Sequence, residues 1–71
     1  MASKVQQREC LSGTVLIQTN GGLRNISGTF EVISKRHLYN WIVGIDIYPS
    51  VEQVASLRRG ESITLGMDNW A

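Results

Sequence analysis

The chain has 71 residues, a formal net charge of +1 at neutral pH and one cysteine, Cys10. This length holds a single domain, and a domain so small buries only about 60% of the surface its unfolded chain exposes. A disulfide within the chain is excluded, Cys10 and His37 are too few for a structural zinc site, and neither metal nor cofactor is expected. Association with further copies is the expected source of added stability.

No apolar run approaches the ~20 residues of a membrane-spanning helix, and residues 1–8 lack the apolar stretch of a signal peptide. The expectation is a cytoplasmic protein without a membrane partner, made of a flexible segment 1–8 and one β-barrel domain over 9–71. Alternation begins at Leu11: Leu11, Gly13, Val15 and Ile17 share one strand face, and Ser12, Thr14, Leu16 and Gln18 the other. Asn20-Gly21-Gly22 ends this strand with a tight hairpin turn. A second strand runs from about Asn25 to Ser34, with Ile26, Gly28, Phe30 and Val32 on one face. Lys35-Arg36-His37 is a polar break. After it Tyr39, Trp41, Val43, Ile45 and Ile47 form the strongest alternating series, which predicts a third, central strand.

Residues 50–59 fit two elements. As a helix, Ser50 caps it, Gln53 completes a capping box and Gly60 terminates it; as a strand, Val51, Gln53, Ala55 and Leu57 alternate. Local propensity favours the helix. The last strand places Ile63, Leu65 and Met67 on one face. Glycines at 13, 28, 44 and 66 inside these strands predict bends, and a sheet bent so often predicts a small barrel.

The ordered features Asn20-Gly21, Gly28-Thr29-Phe30, Tyr39-Asn40 and Arg59-Gly60-Glu61-Ser62-Ile63 resemble the Sm-like RNA-binding family over Val15 to Leu65. Ser34 departs from that pattern where the family has an acid, and Gly28 to Asn40 is slightly longer than usual. The resemblance implies a strongly bent five-stranded antiparallel barrel, in the broad class of SH3-type barrels, with residues 51–57 as its fourth strand. It implies a homo-oligomer closed into a ring around single-stranded RNA or DNA. Asn40 would meet a base edge, His37 or Tyr39 would stack on the base, Arg59 would cover its other face, and Gly60 would let the turn come close. Independently of the resemblance, the apolar residues Leu16, Ile33 and Ile42 on the outer strand face, with Tyr48, mark a subunit interface, to which Val54, Ile63 and Leu65 are added.

The residues themselves supply both ingredients of single-strand binding. Bases stack on aromatic rings at about 1–3 kcal/mol each, and cations release counterions from phosphate. Lys35, Arg36, His37, Tyr39 and Trp41 bring these groups together, although Lys35-Arg36-His37 also suits a solvated turn and Trp41 suits a core. Arg58-Arg59 equally suits a helix C-terminus. Catalysis is not expected, because His37 has no nucleophile in a recognisable motif and the carboxylates are scattered. The leading expectation is a ring with an accessory role in nucleic-acid processing or regulation. Its rivals are a small protein-interaction module, inhibitor or adaptor, using an outer apolar face with Tyr48, and a monomeric oligonucleotide-binding-type barrel with a helix at 50–59.

Overall fold

The computed structural model describes residues 9–71, so the expected flexible segment 1–8 lies outside the described residues. Five strands, β1 (Cys10–Thr19), β2 (Gly22–Ser34), β3 (His37–Asn40), β4 (Ile45–Ile47) and β5 (Ile63–Leu65), form one sheet in the order β4-β3-β2-β1-β5. A helix, α1 (Val51–Arg58), separates β4 from β5, and a short 3-10 turn over Met67–Asn69 follows β5.

Alternation in β1 and β2 works as expected. Leu11, Val15 and Ile17 of β1 and Ile26 and Phe30 of β2 are buried, with Val32 packed against the same core. The hairpin turn falls at Asn20-Gly21, but no non-glycine residue described has positive φ, and the left-handed conformation sits at Gly22 instead. Thr19 replaces the expected turn chemistry: its Oγ1 accepts from Gly21 N–H at 3.1 Å and donates to the Gly22 carbonyl at 2.8 Å. Lys35 and Arg36 form the turn between β2 and β3.

The long third strand is corrected to two short ones. Trp41–Gly44 is a turn, after which β4 runs back along β3 with Leu38 opposite Ile47 and Asn40 opposite Ile45. The alternation spans this reversal by coincidence: Ile45 and Ile47 are buried, while Trp41 and Val43 are exposed. β4 therefore lies at the end of the sheet order and not at its centre.

Residues 51–58 are helical, which overturns the fourth strand implied by the family resemblance. Gln53 N–H donates to Ser50 Oγ at 3.1 Å and Ser50 N–H donates to Gln53 Oε1 at 2.9 Å, a reciprocal capping box. At the other end Gly60, with φ 84°, lets Glu61 N–H reach the Ser56 carbonyl and Gly60 N–H the Leu57 carbonyl, the bonding pattern of a Schellman terminus. Local signals at both ends thus prevail over the alternation between them.

The helix also sets the direction of the last strand. β5 lies parallel to β1, pairing Val15 with Ile63 and Ile17 with Leu65, so the sheet is mixed where an antiparallel one was expected. A parallel neighbour needs a crossover connection, and α1 is part of it. The named ladders do not close, because β4 and β5 are opposite edges. The C-terminal residues cover the β4 edge: Asp46 and Ala71 exchange backbone hydrogen bonds at 2.9 and 3.0 Å, and Trp70 Nε1 donates to the Gln18 carbonyl of β1 at 2.8 Å. Trp70 thus packs back on its own domain.

Close docking of α1 uses the missing side chain at Gly13. Gly13 of β1 faces Gly28 of β2, and a Cβ built on Gly13 would lie 3.1 Å from the buried Leu57 Cδ2. The missing side chain at Gly13 leaves room for Leu57 of the helix. Gln53 Nε2 adds a 3.0 Å bond to the Thr64 carbonyl of β5. No helix among the described residues is long and apolar enough to cross a membrane.

Truncating Leu57→Ala should cost about 2–5 kcal/mol of stability, and Ser50→Ala about 1 kcal/mol through loss of the cap. Urea denaturation measures both. A strand at these positions would make Ser50→Ala nearly silent.

Candidate binding surface

The outer face of β3 and β4 gathers most of the polar and aromatic chemistry. Cross-strand pairing sets Tyr39 opposite both Glu31 and Asp46, so these three project to the same side, with His37 two residues from Tyr39. His37 Nε2 lies 2.7 Å from Asp46 Oδ1, and its ring stacks on Tyr48 with centroids 4.8 Å apart. Tyr39 meets Trp41 edge to face at 4.8 Å, and Trp41 Nε1 donates to the carboxylate of Glu31. The aromatic groups are therefore held in place by side-chain partners.

At one end of this face the chain turns through Trp41, Ile42, Val43 and Gly44. Trp41 is 70% exposed, Ile42 84% and Val43 47%, three consecutive apolar residues presented to solvent. Underneath them Asn40 is fully buried. Its Oδ1 accepts from Val43 N–H at 2.8 Å, its Nδ2 donates to the Thr29 carbonyl at 3.3 Å, and its backbone carbonyl accepts from Gly44 N–H at 2.8 Å. One amide side chain shapes the turn and ties it to β2. Gly44, with φ 76°, supplies the left-handed step that closes it.

The residues expected to surround a base are distributed differently. His37 and Tyr39 lie together on the outer face, whereas Asn40 points inward with both ends of its amide engaged. Lys35 and Arg36 are exposed in the turn preceding His37. Arg59 caps the C-terminus of α1, where it bonds Glu61 at 3.1 Å and Ser56 Oγ at 3.2 Å, and Gly60 serves the helix terminus. Among the expected interface residues, Val54, Ile63 and Leu65 are buried in the domain's own core, a direct consequence of the helix and of the parallel β5. Leu16 is half-buried, and Ile33 and Ile42 are exposed.

Trp41, expected in the core, and Val43, expected within a strand, are the surface residues that alternation misassigns. A signal for them exists in the sequence: Asn40 and Gly44 bracket Trp41-Ile42-Val43, and Asn and Gly are turn formers. Among the described residues no group of His, Cys, Asp and Glu is placed to hold a metal ion.

Compared with known proteins, the chain matches no family model, no curated protein and no solved structure.

Charge pairing at the helix end is specific. Arg58 Nε and Nη2 bond the two carboxylate oxygens of Glu9 at 2.8 and 2.7 Å. Hydrogen bonding to Arg58 lowers the Glu9 pKa, and hydrogen bonding to Arg59 lowers that of Glu61. A lowered folded-state pKa contributes stability that is fully present above the ordinary carboxylate value and lost as pH falls through the lowered one. Wild type should therefore lose a little stability on acidification below pH 4.5, and Glu9→Gln should lose less over the same range in urea titrations. Asn40→Ala should cost about 1–3 kcal/mol by leaving the Val43 N–H and Thr29 carbonyl without their partner. Faster amide exchange at Val43 would localise that loss to the turn.

Proposed function

We propose that the protein is a small protein-interaction module whose recognition element is the Trp41-Ile42-Val43 turn with the adjoining Tyr39. The observation that carries this reading is an exposed apolar run held on a hydrogen-bonded frame. Three consecutive solvent-facing apolar residues oppose solubility unless something covers them, and Asn40 and Gly44 hold them in one shape. Preorganisation of this kind lowers the entropic cost of docking. Tryptophan and tyrosine are also the side chains that most often dominate binding energy at protein interfaces. The partner is a protein or peptide with an apolar recess for Trp41 and Ile42.

Catalysis is not part of this reading. His37 is oriented by Asp46 and stacked on Tyr48, and neither group is a nucleophile paired with it in a recognised arrangement.

Display selection of peptides on the wild-type protein tests the module. Enriched peptides should lose more than about 2 kcal/mol of binding to Trp41→Ala, the behaviour of an interface anchor. Peptides that bind Trp41→Ala as tightly as wild type, or a selection that enriches none, would defeat the assignment.

A second reading is favoured by one observation: Lys35 and Arg36 are exposed beside the His37–Tyr48 stack. Cations next to aromatic rings suit single-stranded RNA or DNA, with bases over Tyr48 and Trp41 and phosphates along the turn. Against it stand the neighbouring carboxylates of Glu31 and Asp46, and the pairing of Arg58 and Arg59 with acids. Fluorescence anisotropy with labelled oligouridine separates the two readings. Nucleic-acid binding would be salt-sensitive and weakened by the Lys35→Glu, Arg36→Glu double variant, whereas the protein-interaction reading expects no measurable affinity. Sedimentation of wild type alongside Ile42→Ser reports whether the same turn joins copies of this chain.

A further inference from the structure

A separate cavity lies at the opposite end of β3 from Trp41, between the Lys35–Arg36 turn and α1. Its volume is about 360 Å³ and its lining includes Lys35, Val51, Val54 and Arg58. That volume falls within the range of small-ligand sites. The lining combines aliphatic surface with positive charge. Val54 is buried, and Val51, on the first turn of the helix, is left exposed.

The two cations differ in availability. Arg58 gives Nε and Nη2 to Glu9, which leaves its Nη1 donors for another acceptor. Lys35 is exposed and forms no ion pair among the described residues. Among the described lining residues, the charge without an ion-pair partner is therefore the Lys35 ammonium. A dianion such as phosphate would bring excess negative charge close to Glu9, and a neutral molecule would leave Lys35 unused.

We infer that this cavity binds a small amphipathic monoanion, an aliphatic carboxylate. Its tail lies against Val51 and Val54, and its carboxylate meets the Lys35 ammonium and the free Arg58 Nη1 donors. The site is independent of the Trp41 turn and does not rest on the function proposed for it.

Titration of the isotope-labelled full chain with hexanoate, followed by amide NMR, tests the inference. Saturable shifts are expected at Lys35, Val51, Val54 and Arg58, with affinity reduced about fivefold or more in Lys35→Glu. Acetate carries the charge without the tail, and 1-hexanol the tail without the charge; both should bind more weakly than hexanoate. Trp41→Ala should bind hexanoate as wild type does. Absence of saturable shifts at these amides, or unchanged affinity in Lys35→Glu, would overturn the inference. So would 1-hexanol binding as tightly as hexanoate, which would mean an apolar crevice only, or inorganic phosphate doing so, which would mean a charge site without use for the tail.

Discussion

The buried amide of Asn40 is the interaction on which the rest of this surface depends. A side-chain amide removed from water must satisfy its donors and acceptor inside the protein, and Asn40 does so by binding the turn on one side and β2 on the other. Those bonds convert what alternation alone would extend as a strand into a reversal. The apolar residues that follow are then excluded from the core, because the turn that contains them points away from the sheet.

A second constraint acts in the β1–β2 hairpin. The facing glycines at 13 and 28 remove two side chains from the inner surface of β1 and β2, and the two gaps are used differently. Leu57 of α1 approaches Gly13, whereas the Asn40 amide lies 3.8 Å from where a Gly28 Cβ would sit. Gly28 also has φ 138°, a conformation that side-chain-bearing residues rarely adopt. Room for Leu57 thus comes from the missing side chain at Gly13, whereas Gly28 serves through its backbone conformation.

Electrostatics divides the molecule further. The arginines near the helix end are paired with Glu9 and Glu61, so their charge is compensated locally. The aromatic face carries carboxylates bound to His37 and Trp41, while Lys35 and Arg36 form no ion pair among the described residues. The exposed Trp41-Ile42-Val43 turn and the exposed cations Lys35 and Arg36 consequently lie at opposite ends of β3, which makes the turn and the cavity separate sites.

By itself the sequence determined the local elements. The alternation of β1 and β2, the turn positions at Asn20-Gly21 and Lys35-Arg36, and the capped helix at Ser50 to Gly60 all follow from side-chain period and terminal hydrogen bonding. These act between residues close together in the chain. Only the tertiary structure decided what depends on distant partners. The inward Asn40 needs Thr29 across the sheet, the course of β5 needs α1 seated over Gly13, and the pairing of Arg58 needs Glu9 from the start of the domain. Trp41 shows the physical reason: the same alternating pattern describes a buried strand or a reversal, and although Asn40 bonds Val43 and Gly44 within the turn, its burial against Thr29 across the sheet comes only with the fold.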